Sequence, residues 1–355
     1  MGALAGAVAL AGLLAACGGH PAAPAPAVPR SSAPGATGQC SPTVTLDGFS
    51  DALDKTEFGG TYVGNLSALA ALPGAGGSVL ALSDRSALFT LDAALRPTAV
   101  VALHDENGHD LDSEAIVVDQ DGTLLITSEV EPSIRRYRGD GTLLGRLPVP
   151  APLLVAPAGR AARNLTFEGL TLQPDGRTLV ASMEAGLSGD TGDLVRFQTW
   201  TRATGAGTGD DFRPGPQYAY PVDMAAGVSE ITATGDGRLL VLERGYLAGF
   251  GNTVRLYLAD LSRAGDVSGI DRLSPGPGVI PVGKTLLADL ANCPSLGATA
   301  RQPEPNPLLD NVEGMTVLRD GRLPDGTLHL LLSSDDNHNP TQTTRLYRLT
   351  ARLPR

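Results

Sequence analysis

Along most of the chain apolar and polar residues alternate, and Asp-Gly pairs interrupt the alternation at intervals. Residues 163–187 read RNLTFEGLTLQPDGRTLVASMEAGL. A Glu-Gly-Leu step (Glu168, Gly169, Leu170) opens an alternating run, Pro174-Asp175-Gly176 turns it, and a second apolar run ends on Glu184. Alternation of period two marks a half-buried strand, and Asp-Gly accepts the backbone of a tight hairpin, so the stretch predicts strand, turn and returning strand. The pattern recurs in residues 113–138 (Glu114, Asp121-Gly122, Glu129), 229–257 (Glu230, Asp236-Gly237, Glu243) and 311–348 (Glu313, Asp325-Gly326, Asp335-Asp336). A weaker copy at 65–91 has Ser67 at the first acid position and Asp84 at the second. Further strands follow the hairpins, such as residues 194–197 and 346–349. Repeats of several strands each predict an all-β chain: a β-propeller of five or six four-stranded blades.

Ahead of the repeats, residues 1–17 form an apolar run too short to span a bilayer, ending in Leu14-Ala15-Ala16-Cys17. That ending resembles a bacterial lipobox, which predicts a lipoprotein signal peptide with lipid on Cys17; a plain secretory signal is the alternative. Residues 18–39, rich in Ala, Pro, Gly and Ser, read as a flexible tether. Residues 40–355 read as a single propeller domain. The expected location is outside the cytoplasm, lipid-anchored to the outer face of a bacterial membrane or secreted, with membrane contact through the lipid only and the protein a monomer.

Composition adjusts this picture at three points. The 44 Gly and 27 Pro suit a turn-dense β protein, and 4% aromatics leave the core to Leu, Val, Ile and Ala. Three cysteines leave Cys40 and Cys293 once Cys17 is set aside; in an oxidising compartment they are a natural pair, tying the first strand (residues 43–46) to the late part of the chain, and two free thiols are the alternative. The net charge of −11 comes without a basic stripe, which argues against a nucleic-acid partner.

Many acids fall at the repeat's two fixed positions. Inner strands of a propeller face its axis, so equivalent positions converge, and converging carboxylates require protonation, an arginine or a hard cation such as Ca2+. The expected metal ligands are Glu168, Glu230, Glu313 and Asp335, with Glu184 and Glu243 next. The repeated Glu residues could instead be fold latches that accept backbone N–H bonds. Arg85 and Arg244 follow acids directly and would hold an anionic substrate. Of five scattered His, His104 and His109 lie in an acidic loop (HDENGHDLD), and His338 lies at a repeat's acid position (SSDDNHNP), so Asp336 or His338 would carry a proton. No G-x-S-x-G elbow is present.

The order SEAIVV…GTLLITSE, FEGLTLQPDGRTLVASME, GVSEITATGDGRLLVLERG, NVEGMTVL…LLLSSDDN…TRLYRL resembles the phytase-like family with esterase-like activity, from about residue 60 to 350. The resemblance implies a secreted or surface-attached bacterial propeller that hydrolyses phosphoric esters, with inositol phosphate as the type substrate. Its motif acids fall on Glu168, Glu230, Glu243, Glu313, Asp335 and Asp336. Two other classes fit the same acids: a non-catalytic propeller that binds a small ligand or a protein, and a lactonase or carboxylic-ester hydrolase.

Overall fold

The computed structural model describes residues 38–191, 193–203, 212–318, 323 and 325–354. The apolar run, Cys17 and the tether as far as residue 37 lie outside the described residues. Strand β1 (Val44–Ser50) leads into a small hairpin, β2 (Thr56–Phe58) and β3 (Thr61–Val63). Blade 1 holds β4 (Leu66–Ala71), β5 (Val79–Ser83), β6 (Ala87–Leu91) and β7 (Pro97–Ala102). Blade 2 holds β8 (Ile116–Val118), β9 (Leu124–Ser128), β10 (Ser133–Tyr137) and β11 (Leu143–Arg146). Blade 3 holds β12 (Phe167–Leu172), β13 (Thr178–Met183), β14 (Leu194–Thr201) and β15 (Arg213–Pro221). Blade 4 holds β16 (Gly227–Ala233), β17 (Leu239–Leu247), β18 (Gly251–Asp260) and β19 (Gly283–Asp289). Blade 5 holds β20 (Val312–Val317), β21 (Thr327–Ser334) and β22 (Leu346–Arg352), and β1 completes it by pairing with β22. The blades number five, all antiparallel, and the N-terminal strand supplies the outer edge of the last, so the ring closes on itself.

Asp-Gly turns make the hairpins: Gly122, Gly176, Gly237 and Gly326 all take positive φ, which a side chain would strain. The innermost strands β4, β8, β12, β16 and β20 pack side by side around the axis. Between blades the core is aliphatic. Leu240, Leu242 and Leu256 of blade 4 meet Val312, Leu330, Leu332 and Leu349 of blade 5, all buried. Burying each such side chain contributes about 2 kcal/mol.

Two features fasten the closure. Cys40 and Cys293 form a disulfide across 253 residues of chain, with Cα atoms 4.0 Å apart. The chain-entropy model puts a loop of this length at about 5 kcal/mol, an upper figure. The buried Arg345 donates to both Asp51 carboxylate oxygens (2.6 and 2.9 Å) and to the carbonyls of Pro307, Leu308 and Thr299, joining the end of β1 to β22. The folded part begins slightly before residue 40: the Leu46 N–H donates to the Gly38 carbonyl (2.6 Å), and Gln39 bridges Thr45.

Candidate metal centre

Four of the five inner strands break register with their neighbour at the repeat's first acid position. The shifts fall between Leu66 and Ala68, Phe167 and Leu170, Val228 and Glu230, and Val312 and Gly314. A bulge inserts an unpaired residue and re-aims its side chain. The inserted residues are Ser67, Glu168 (with Gly169), Ser229 and Glu313. In blade 2 the corresponding residue is Glu114, one before the Ala115 whose carbonyl accepts the Thr127 N–H.

The second position follows the end of each returning strand. The N–H groups of Asp84, Glu129, Glu184 and Asp335 donate to Asn65, Asp112, Thr166 and Asn311, each two residues before the first position. In blade 4 the residue two before Ser229 is Gly227, and it pairs with Arg244. Arg244 therefore stands where the other four blades carry an acid.

These two rings open into a cavity of about 460 Å³ at the mouth of the propeller. It is lined by eight carboxylates: Asp84, Asp112, Glu114, Glu129, Glu168, Glu184, Glu313 and Asp335. Arg244 is the one cationic side chain among the described lining residues. Its guanidinium lies 3.2 Å from Glu313 and 3.6 Å from Glu184, and its Nε is buried with no hydrogen-bond partner. Ligand oxygens of Asp112, Glu114 and Glu129 lie within 4.8 Å of one another, and so do those of Glu129, Glu168 and Glu184. Glu129 belongs to both triplets.

Burial first, and neighbouring carboxylates second, push Glu114, Glu168 and Asp335 well above the usual carboxylate range. Burial also raises Glu313 and Glu184, with Arg244 opposing it in both. Glu129 rises to about 7 through burial and its acidic neighbours, even though the Thr166 N–H donates to its Oε1 (2.6 Å). Asp84 is raised by burial to about 6. Glu114 and Glu168 are 7% and 5% exposed, and no described residue donates a hydrogen bond to either. Buried carboxylates without donors are the arrangement a hard cation with oxygen ligands satisfies. The residues present therefore fit a metal ion that takes oxygen ligands.

Of the expected ligands, Glu168, Glu313, Asp335 and Glu184 meet in this cavity. Glu230 and Glu243 do not. Glu230 aligns with Gly169 and Gly314, one residue past the bulge, and a one-residue slip sends a strand side chain to the other face. Its Oε1 accepts the N–H of Leu170 (3.2 Å), from the neighbouring blade, and of Ile231 (2.9 Å), so it is a latch between inner strands. Glu243 lies one before Arg244 and turns outward for the same reason. It accepts from the Tyr220 hydroxyl (2.6 Å), the Asp223 N–H (2.8 Å) and Lys284 Nζ (2.6 Å).

Neither expected proton carrier lines the cavity. Asp336 is bonded to Lys55 and Tyr62 and accepts the Asn65 N–H (3.0 Å). Against burial, which raises it, those partners hold its carboxyl below the usual range. His338 is exposed, its ring 4.4 Å from that of Tyr62. Arg85 points to solvent and pairs with Asp84 at 3.4 Å, while Arg244 is in place. Glu114, Glu129 and Asp112 belong to the cavity as well. The first two were visible at the repeat positions, and Asp112 could have been found by the Asx residue two before the acid (Asn65, Asp112, Asn311).

Two solved structures have a similar backbone course. Virginiamycin B lyase from Staphylococcus aureus matches at 12% identity and a TM-score of 0.35, over 80% of this chain and 65% of the lyase. A gluconolactonase from Xanthomonas campestris matches at 14% identity and a TM-score of 0.36, over 77% of this chain and 68% of the other. The chain thus spans slightly less than two thirds of the lyase's length. No curated protein sequence matches significantly. The sequence profile of the phytase-like family, described as "Esterase-like activity of phytase", matches residues 61–338, and the chain belongs to that family.

Proposed function

We propose that this propeller is a cation-dependent hydrolase of phosphoric esters. In this reading calcium is the cation, and the protein is exported and anchored outside the cell through Cys17. The observation that carries the reading is the pair of buried, donor-less carboxylates, Glu114 and Glu168, in a cavity of eight acids and one arginine. The family supplies the ester chemistry.

The two triplets that share Glu129 would hold the cation. Calcium bound there would polarise a phosphoryl oxygen and make a coordinated water more acidic. Arg244, which lines the cavity, would present its guanidinium to a phosphate oxygen. Asp84 lies outside both triplets and is poised at about 6, so its carboxylate can take or give a proton near neutrality. It replaces Asp336 and His338 in that role.

The test is hydrolysis of a phosphate monoester by the purified protein in calcium and in chelator. Calcium-dependent release of phosphate, lowered at least a hundredfold in Glu168→Gln, is the expected result. A carboxylic ester and a lactone run in parallel; cleavage of these alone would reassign the ester, and no cleavage of any would leave a binding propeller.

A further inference from the structure

The funnel is polar nearly all round, with one apolar interruption. Leu165, from the loop leading into blade 3, and Tyr246, from blade 4, line it and are 39% and 58% exposed. Tyr246 is carried there by an unusual strand. The second strands of blades 1, 2, 3 and 5 have 5, 5, 6 and 8 residues and end one residue before the second ring position, whereas β17 has 9 and runs on past Arg244 to Leu247. The extra length extends the β17–β18 hairpin beyond the second ring position. Arg244 and Tyr246 are two apart on that strand, so they share the face turned to the cavity.

The extension is pinned. Asn252, opposite Tyr246, donates through its N–H and its Nδ2 to the Glu304 carboxylate (2.7 Å each). Gly245 packs so tightly that a Cβ there would sit 2.5 Å from the Ala225 carbonyl oxygen. The backbone that carries Tyr246 is thus held at the lip of an acidic cavity, and its ring is left in water. A pre-positioned, solvated aromatic beside an anion-binding arginine is suited to an apolar group on the ligand.

We propose that the funnel takes phosphoric monoesters whose alcohol carries an apolar or aromatic arm, the phosphate lying against Arg244 and the arm against Leu165 and Tyr246. This rests on the reading above that phosphate binds at Arg244, and it narrows the substrate to phosphoric esters with an apolar or aromatic arm.

Binding of two non-hydrolysable probes in calcium tests it by calorimetry. Phenylphosphonate should bind about tenfold more tightly than methylphosphonate. Tyr246→Ala should bring the two within about twofold by weakening phenylphosphonate alone, with the melting temperature unchanged; Tyr246→Phe should keep the preference. Equal binding of the probes by the parent, equal weakening of both in Tyr246→Ala, or binding of neither would overturn the proposal. Turnover separates it from the catalytic reading. Retained phenyl preference with no cleavage of phenyl phosphate would sink the hydrolase assignment and leave the arm site standing. Cleavage of inositol hexakisphosphate in preference to phenyl phosphate would do the reverse.

Discussion

Glu168 and Glu230 look alike in the sequence and differ in the fold, so substituting each with Gln separates a cation ligand from a latch. Calcium bound to the native state adds RT ln(1 + [L]/Kd) to stability, about 2.7 kcal/mol at 100 times Kd. For a domain of roughly 300 residues, 1 kcal/mol moves the melting temperature by about 1.5–2 °C. The parent should therefore melt about 4 °C higher in calcium than in chelator. Glu168→Gln removes one of three carboxylates that converge within 4.8 Å. A tenfold loss of affinity at the same calcium concentration leaves about 1.4 kcal/mol, or about 2 °C. In chelator the same variant should melt no lower than the parent, because the carboxyl removed is one whose ionisation burial and Glu114, Glu184 and Glu129 oppose.

Glu230→Gln should behave differently. Its carboxylate accepts two backbone N–H groups at a buried junction of blades 3 and 4. An amide keeps one acceptor oxygen and puts an NH2 donor in place of the other at this buried junction, which costs about 1 kcal/mol and lowers the melting temperature by about 2 °C in calcium and in chelator alike. Scanning calorimetry of the three proteins in both buffers reads all of this. If Glu230→Gln abolishes the calcium shift while Glu168→Gln retains it, the register of blade 4 deduced here is wrong. If the parent shows no shift at millimolar calcium, the cavity is not a calcium site.

In chelator, stability should fall as pH rises from 5.5 to 7.5. Glu129 and Asp84 hold protons more tightly folded than unfolded, so their contribution is complete below about pH 4 and is lost through their folded values of about 7 and about 6. The two together amount to about 2–3 kcal/mol over that range, and saturating calcium should remove most of the dependence; a rise with pH in chelator would contradict the charge assignment. Breaking the Cys40–Cys293 bridge with Cys293→Ser should lower the melting temperature by several degrees, with about 5 kcal/mol as the ceiling, and non-reducing peptide mapping should recover the two cysteines joined. Cys17→Ala should move the protein from the membrane fraction into the medium; an unchanged fraction would remove the lipid anchor.

The blades were legible because their signal is local. Each hairpin carries its own alternation and its own turn, Asp-Gly in blades 2 to 5 and a Gly-rich turn at residues 72–78 in blade 1, and nothing distant alters either. The blade count was not, because the last blade has only three strands of its own and borrows β1 from the other end of the chain. The same distance hid the fate of Asp336. Its partners Lys55 and Tyr62 lie more than 270 residues away, so a cluster that reads as reactive in the sequence is a neutralised ion pair in the fold.

The misreading of blade 4 has a different cause. Aligned on the apolar residue that follows, FEGL, VEGM, LSAL and VSEI put Ser229, not Glu230, level with Glu168 and Glu313. Aligned on the acid, they put Glu230 there. The acid drew the eye, but pairing is set by which side chains can be buried, and the aliphatic column fixes the register. The same one-residue offset makes Arg244, not Glu243, the blade's contribution to the second ring. The consequence is chemical. Four blades give this ring an acid and the fourth gives it a guanidinium, so the cavity has a polarity it would lack if the repeat were uniform. Arg244 is held between Glu313 and Glu184, which compete with any anion for it. A cation bound by the carboxylates relieves that competition: it takes up negative charge that Arg244 would otherwise answer, and frees the guanidinium for a phosphate. Anion binding at Arg244 and cation binding at the triplets should therefore strengthen each other, and since coupling between sites is reciprocal, methylphosphonate should raise calcium affinity by the factor by which calcium raises its own. Titration of either ligand at fixed concentrations of the other measures that factor. A value of one would mean that Arg244 and the triplets act independently, and the charge argument for a metal-assisted site would fail with it.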